Sequence, residues 1–220
     1  FSTVQKYIAL LGTALTLALP ASNAQNWEKI FTGYDYVLTA LEFPEKQSLV
    51  GYTAGQSVTY NGDGIVLKTT DGGTTWNPVW TGQEQGIEGI SFPTVDTGYV
   101  TGWNGYFAKT TDGGNTWTQI TIAQDVYYFS DVVFKDSENG ILTAWLNDDV
   151  AIYWTNNGGD SWTQCQGIPT APYVACYVSG ETYFAACWQG IMRSVDDGKS
   201  WETVFSSPNM LIEKNTVSHD

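Results

Sequence analysis

Basic side chains and histidine are scarce in this 220-residue chain. It has 9 Lys and Arg against 23 Asp and Glu, which gives a formal net charge of −14 at pH 7, and Arg193 is its one arginine. Phosphate binding needs basic side chains that displace counterions, so this charge balance excludes nucleic acid as a partner. The single histidine, His219, is the penultimate residue. Its isolation excludes catalysis by a histidine base and metal sites with several histidine ligands.

Cysteine is also rare, with Cys165, Cys176 and Cys187 as the only three. An odd number cannot pair completely within one chain. A tight turn at Ser179-Gly180 would place Cys176 opposite Tyr183 rather than opposite Cys187. We therefore interpret the three cysteines mainly as small buried hydrophobic residues, with one disulfide as the alternative.

The N-terminal segment has the pattern of a signal peptide. An apolar run over residues 7–19 follows Lys6, and Ser22 and Ala24 then form the small-x-small pattern of a cleavage site. The run is short for a membrane span, and a buried N-terminal helix is the alternative. We predict that residues 1–24 are removed, that no membrane span remains, and that the protein is secreted or periplasmic.

A repeated segment organises the rest of the chain. Residues 68–76 recur at residues 109–117 with eight of nine positions identical. Residues 155–162 and 194–201 are two further copies, and Asn157 replaces the aspartate in the third. The closing tryptophans of these four boxes are 41, 45 and 39 residues apart. Such near-constant spacing indicates a repeat architecture.

Between the boxes, each repeat has the pattern of short strands joined by tight turns. In the second repeat, residues 87–92, 98–101, 106–110 and 117–122 alternate between apolar and polar side chains, without helical periodicity. Four antiparallel strands in each repeat of about 40 residues are typical of a β-propeller blade. The sequence therefore predicts an all-β fold, a β-propeller of four-stranded antiparallel blades.

The boxes account for four blades, and no fifth box follows Trp201. Residues 202–220 either finish the last blade or start the next. We expect an incomplete propeller with unpaired strand edges at both ends. The alternative is a closed four-bladed ring in which residues 27–31 pair with the last blade. The predicted propeller domain covers residues 25–220, with repeats at 27–76, 77–117, 118–162 and 163–201.

The box itself has a structural explanation. It joins the third and fourth strands, and its Asp can accept hydrogen bonds from backbone N–H groups just ahead. Its glycines permit positive φ, and its Trp buries a large ring. One carboxylate in each loop is too few for a calcium site, so we predict no metal and no cofactor. The structural box residues are Asp71, Gly73, Trp76, Asp112, Gly114, Trp117, Asn157, Gly159, Trp162, Asp196, Gly198 and Trp201.

This box resembles the bacterial-neuraminidase repeat, or Asp-box, of sialidases, xyloglucan-cleaving glycoside hydrolases, sortilin-type receptors and the photosystem II stability/assembly factor-like family. The blade patterns of residues 51–76, 92–117 and 134–162 are similar to the last family. The resemblance implies a non-enzymatic exported propeller that binds a protein or supports assembly. Sialidases hold their substrate carboxylate with three arginines, so the single Arg193 excludes that activity. The resemblance also implies basic residues on the face of the photosynthetic factors that meets their partners, and this chain cannot supply such a patch.

One face of the predicted propeller carries the turns between second and third strands and the connections from each fourth strand to the next first strand. We call it the turn face. Its aromatic and acidic side chains suit a sugar, a peptide or a cationic partner, unless the rings pack between blades instead. The candidate binding residues are Trp80, Trp103, Tyr127, Tyr128, Trp145, Asp148, Asp149 and Trp188.

Two functions fit these observations. One is a non-enzymatic scaffold with a protein partner, and the other is a glycan-binding or glycoside-hydrolase propeller of the xyloglucan-hydrolase type. A glycosidase needs two carboxyl groups some ~5–9.5 Å apart, whereas adjacent residues such as Asp148 and Asp149 usually point apart. We therefore assign no catalytic residue. Paired carboxylates beside exposed tryptophans would favour the second function, and buried tryptophans with unpaired acids would favour the first.

Overall fold

The computed structural model describes residues 36–45, 48–58, 62–147, 149–168, 173–187 and 190–206. All regular secondary structure in these ranges is β-strand. The described residues contain no helix long and apolar enough to cross a membrane. The chain divides into the units Phe1–Phe31 and Thr32–Asp220, and every described residue belongs to the second. The predicted signal peptide lies outside the described residues.

Sixteen strands form four antiparallel sheets in the described part of the chain, and each sheet follows chain order. The first sheet contains β1 (Tyr36–Glu42), β2 (Gly51–Ser57), β3 (Gly64–Thr69) and β4 (Asn77–Gly82). The second contains β5 (Ile87–Ser91), β6 (Gly98–Gly102), β7 (Phe107–Thr110) and β8 (Thr118–Gln119). The third contains β9 (Val126–Phe134), β10 (Asn139–Leu146), β11 (Val150–Asn156) and β12 (Thr163–Gln164). The fourth contains β13 (Tyr173–Ser179), β14 (Thr182–Cys187), β15 (Gly190–Ser194) and β16 (Glu202–Ser206).

Each box connects the third and fourth strands of its sheet, and the predicted four-stranded antiparallel blades are confirmed. Both faces of the second and third sheets are buried because each of these two sheets packs between two described neighbours. Tyr52 and Val66 of the first sheet, for example, share one apolar cluster with Phe92 and Val100 of the second. The first strands of consecutive sheets also pack against one another. Among the described strands, β1 and β13 do not pack in this way.

Two local predictions were wrong. The alternation over residues 117–122 predicted a full fourth strand, but β8 has only two residues. The Ile120 N–H still donates to the Phe107 carbonyl of β7 at 2.9 Å, but the strand ends there, and Ile120 and Ile122 pack against the core between the second and third sheets. The predicted turn at Ser179-Gly180 lies one residue later, since Ser179 pairs with Thr182.

This shift in register changes the partner of Cys176, which lies opposite Ala185 instead of Tyr183. Gly180 has a φ of 58°, which the first position of a tight hairpin turn favours. Cys165, Cys176 and Cys187 are buried and take part in no disulfide among the described residues. They pack as the small hydrophobic residues that the sequence predicts.

Candidate functional site

The first two boxes form the same compact hydrogen-bonded loop. The Asp71 carboxylate accepts hydrogen bonds from the N–H of Thr75 at 2.9 Å, the hydroxyl of Thr75 at 2.7 Å and the hydroxyl of Thr69 at 2.8 Å. Asp112 accepts the equivalent bonds from Thr116 and Thr110. These donors, led by the Thr75 N–H, lower the pKa of Asp71 to about 2. A carboxylate whose oxygens are occupied in this way stabilises its own loop.

The third and fourth boxes keep this geometry with other side chains. Asn157 accepts from the N–H of Ser161 and donates to its hydroxyl at 2.9 Å. Asp196 accepts from the N–H and the hydroxyl of Ser200. Within the described residues, no three His, Cys, Asp or Glu side chains lie close enough together to hold a metal ion.

The box tryptophans are half-buried, whereas their place in the box predicts buried rings. The Trp76 indole N–H donates to the carbonyl of Gly73, and Trp117 and Trp201 make the same bond to Gly114 and Gly198. The Gly159 N–H of the third box bonds to the hydroxyl of Thr155, as the glycines of the other boxes do with theirs.

The turn face lies at the opposite end of the sheets from the boxes, and its connections contact one another across neighbouring sheets. The N–H of Trp103 donates to the carbonyl of Gly86, and the N–H of Asn104 donates to the carbonyl of Tyr127. Asn104 and Gly105 both have positive φ, as in the tight hairpin turns that favour Asn-Gly. The turn therefore fixes the relative position of the second and third sheets at this face.

Among the described aromatic residues of the turn face, Tyr127 is the exposed one, with 64% of its surface accessible. It meets Tyr128 edge-on at 5.7 Å, and Tyr128 stacks on Trp145 at 5.4 Å. Burial raises the pKa of the Tyr128 phenol to about 12, with a further contribution from the charge of Glu88. The phenol stays neutral, so these three rings form an uncharged platform with one ring in solvent.

The other two described tryptophans of the candidate face are packed rather than presented to solvent. Trp80 is half-buried and stacks on Tyr106 at 5.0 Å. Trp103 is half-buried, its ring lies against Gly62, and its indole N–H donates to Glu88 at 2.7 Å. The structure brings Trp103, Tyr127, Tyr128 and Trp145 together, whereas Trp80 belongs to the packing between the first and second sheets.

Asp149 is exposed beside this platform, and its carboxylate accepts the N–H of Val150. Asp148 and Trp188 lie outside the described residues. Sequence reasoning missed Glu88 and Tyr106, which position Trp103 and Trp80. The sequence shows only that Glu88 and Tyr106 each lie next to a turn, and a position next to a turn does not reveal which side chain the residue contacts.

Charge is segregated between the two ends of the described sheets. The turn face carries carboxylates and no basic side chain within the described ranges. Its acidic residues are Asp63, Glu84, Glu88, Asp125 and Asp149. The described basic residues all lie at or next to the box end: Lys68, Lys109, Lys135, Arg193 and Lys199.

Two of these lysines bind the neighbouring sheet. Lys68 Nζ donates to the carbonyl of Gly113 at 2.8 Å, and Lys109 Nζ donates to the carbonyl of Gly158 at 2.7 Å. Lys135 instead forms ion pairs with Asp197 and Glu181. All the described basic side chains therefore lie away from the turn-face carboxylates.

The comparisons with known proteins agree on the fold. The chain is 28% identical over 182 residues to the chloroplastic photosystem II stability/assembly factor HCF136 of Arabidopsis thaliana, which covers 77% of this chain and 43% of that protein. A solved structure of YCF48 bound to a D1 peptide superposes with a TM-score of 0.62 at 21% identity, over 80% of this chain and 56% of that one. The GH74 enzyme of Niastella koreensis gives 0.61 at 18% identity, over 79% of this chain and 30% of that one.

The chain thus spans about half the length of HCF136 and of the YCF48 chain. The family described as photosynthesis system II assembly factor YCF48 matches over residues 19–163 and 76–216, which together cover nearly all of the sequence. This match extends the resemblance seen in the boxes to the whole repeat region, and the chain belongs to that family.

Proposed function

We propose that this protein is an exported, non-enzymatic scaffold that supports the assembly or stability of a partner protein, and that it binds this partner at the turn face. One observation carries the proposal: Tyr127 stands 64% exposed on the Tyr128–Trp145 platform, among carboxylates without a described cation. Tyrosine is enriched at the energetic centres of protein interfaces, because its ring is large and rigid and its hydroxyl is polar.

The charge of this face defines the chemistry of the partner. Carboxylates such as Glu84 and Asp149 attract Lys and Arg side chains, and a cation over an exposed aromatic ring gains about 0.5–1 kcal/mol. The partner segment is therefore basic, and it lies across Tyr127 with a Lys or Arg near the ring. Binding weakens as salt is added, since the carboxylates are exposed and screened.

The family supports recognition of a protein segment by this fold. YCF48 has been solved with a D1 peptide bound, and HCF136 is a photosystem II stability/assembly factor. The resemblance implies basic partner faces in the photosynthetic members, whereas the described turn face here is acidic. We infer that this chain has kept the scaffold role of the family and has changed the charge of its partner.

Export rests on the N-terminal pattern. The short apolar run and the Ser22-x-Ala24 pattern support cleavage before Gln25 and a secreted or periplasmic location. The family relative in Arabidopsis is chloroplastic, so its location does not transfer to this chain.

The test is a selection from a peptide-display library on the immobilised chain, with xyloglucan oligosaccharides titrated in parallel. We expect the enriched peptides to carry Lys or Arg and to lose binding to a Tyr127→Ala variant. The control is Leu49→Ala, since Leu49 is 62% exposed but lies at the box end. Enrichment of acidic peptides, or binding of the oligosaccharides alone, would overturn the proposal.

A further inference from the structure

A β-bulge in β9 presents Tyr127 to solvent. Trp145 of β10 pairs with Tyr128. The next residue of β10, Leu146, pairs with Val126, so the register passes over Tyr127. A regular strand directs successive side chains to opposite faces, whereas the Tyr127 and Tyr128 rings meet edge-on at 5.7 Å. Bulges redirect side chains in this way and are frequent beside functional sites, so the exposure of the Tyr127 ring depends on the backbone at this one residue.

The hairpin turn between β6 and β7 holds this bulge from the preceding sheet. The N–H of Asn104 donates to the carbonyl of Tyr127 at 2.9 Å. The neighbouring Trp103 forms an isolated antiparallel bridge with Tyr128. Among the described residues, this is the one β-bridge that joins two sheets. The backbone of the second sheet therefore fixes the bulged residue of the third.

The same turn is anchored on its other side. The N–H of Trp103 donates to the carbonyl of Gly86 at 3.0 Å, and its indole N–H donates to Glu88 at 2.7 Å. The side-chain amide of Asn104 donates to the carbonyl of Glu84 at 2.8 Å. These bonds tie the turn to β5 and to the connection that precedes it. The turn is therefore a fixed support for the bulge.

Asn104 has the backbone conformation that this turn requires. Its φ is 56°, in the left-handed region that asparagine tolerates and alanine disfavours. Three of the four described non-glycine residues with positive φ lie on the turn face, namely Glu84, Asn104 and Asp125. Such conformations cluster at binding sites, where the surrounding structure maintains them. Asparagine at this position supplies both the turn and the side-chain bond.

We infer that Asn104 is a positioning residue of the turn face, which fixes the Tyr127 ring in the orientation that the partner binds. This role rests on the proposed function, since it presupposes a partner at the turn face. The backbone N–H of Asn104 holds the bulge, and its side-chain amide holds the turn that carries this N–H. A ring ordered before binding loses less entropy when the partner binds, so Asn104 raises the affinity by acting through Tyr127.

A double-mutant cycle on the affinity for one Lys/Arg-rich peptide, selected on the chain, tests this role. We expect Asn104→Ala to raise Kd about five- to tenfold, because alanine strains the left-handed turn and lacks the amide. Asn104→Gly keeps the left-handed turn and its N–H but lacks the amide, and should raise Kd about two- to threefold. In a Tyr127→Ala background, Asn104→Ala should change Kd by less than about twofold, since the ring that it positions is gone.

Asp197→Ala is the matched control. Asp197 has a φ of 61° in the fourth box, so alanine strains the backbone there too, but at the box end. The substitution also removes the ion pair with Lys135. We expect this variant to lose thermal stability, as Asn104→Ala does, and to keep Kd within about twofold of the wild-type value. Kd is measured at a temperature at which thermal scans show every variant to be folded.

The possible contrary results are distinguishable. If Asn104→Ala keeps the wild-type Kd while Tyr127→Ala loses affinity, the partner binds at the turn face and the positioning role is overturned. An equal rise in Kd from Asn104→Ala with and without the Tyr127 ring would overturn it as well, because Asn104 would then act by another route. An equal loss in Asp197→Ala would assign the effect to general destabilisation. Failure of the wild-type chain to bind any Lys/Arg-rich peptide would refute the proposed function together with this role.

Discussion

Gly98 opens β6 directly against the ring of Phe92, and a single methyl group at this position tests the packing between sheets. The Cβ of an alanine would lie 2.1 Å from Cε1 of Phe92. The ring has no free side to move to, since it is 1% exposed, stacks on Tyr52 at 3.6 Å and meets Trp117 edge-on at 6.1 Å. The φ of Gly98 is not in the left-handed region, so the effect of Gly98→Ala is steric alone.

Overpacking a filled core costs about 1–3 kcal/mol, and the closeness of this contact places Gly98→Ala at about 3 kcal/mol. In a domain of ~150–250 residues, each kcal/mol lowers Tm by about 2–4 °C, so we expect a loss of about 6–12 °C. Urea unfolding followed by tryptophan fluorescence gives the free energy, and a thermal scan gives Tm.

Gly51→Ala is the matched control. Its Cβ would lie 2.6 Å from Cε1 of Phe43, but Phe43 is 40% exposed and can turn toward solvent. We expect Gly51→Ala to lower the free energy of unfolding by about 1 kcal/mol or less. Equal losses at Gly98 and Gly51 would refute the reasoning, because they would mean that Phe92 is no more confined than Phe43.

Four further outcomes are expected. Trp117→Ala should lower the free energy of unfolding by about 2–3 kcal/mol, below the ~3–5 kcal/mol of a fully buried ring, whereas Tyr127→Ala should change it by less than about 0.5 kcal/mol. Asp112→Ala should lower Tm clearly and Asp112→Asn should lower it little, because the third box already uses asparagine. Burial raises the pKa of the Glu42 carboxyl group to about 7, opposed by the hydrogen bond from the Phe92 N–H and aided by the charge of Asp131. Between about pH 5 and 8 the native state therefore holds a proton that the unfolded state has lost, so stability falls as the pH rises. Glu42→Gln should flatten this fall in Tm. Mass spectrometry of the protein released by its own cell should find Gln25 at the N-terminus, and retention of residues 1–24 would contradict export.

The blade architecture could be predicted from sequence because it repeats. The first two boxes place Asp, two glycines and Trp at fixed spacing, and the other two keep this spacing with Asn157 for the Asp or Asp197, at a φ of 61°, for the first glycine. These residues act within their own loop, as the bonds that Asp71 accepts from Thr75 demonstrate. Local hydrogen bonds and turn conformations are encoded by neighbouring residues. The order of strands in each sheet then followed from the alternation between boxes.

The candidate site could be predicted only in part. Side chains on both faces of the middle blades are buried, so the alternation of apolar and polar residues does not distinguish a packed aromatic ring from an exposed one. Trp80, Trp103 and Tyr127 have equivalent sequence signals, yet two of them pack against neighbours and only Tyr127 is exposed. The contact from Lys68 to Gly113 joins residues 45 positions apart. The sequence did carry a sign of this contact, because Lys stands directly before the first Thr of the first two boxes, where the other two boxes have Trp154 and Arg193. Only the packed sheets reveal that the lysine at this position binds the next sheet.

The most direct test of the turn face is the affinity of one Lys/Arg-rich peptide, chosen by selection on the chain, for three forms of the protein. Isothermal titration should give a Kd that rises about tenfold or more in Tyr127→Ala, a change of about 1.4 kcal/mol or more. The Kd for Leu49→Ala should stay within about twofold of the wild-type value, since a substitution outside the contact changes binding free energy by less than about 0.5 kcal/mol. Unchanged affinity in Tyr127→Ala, or an equal loss in Leu49→Ala, would contradict the assignment of binding to the turn face.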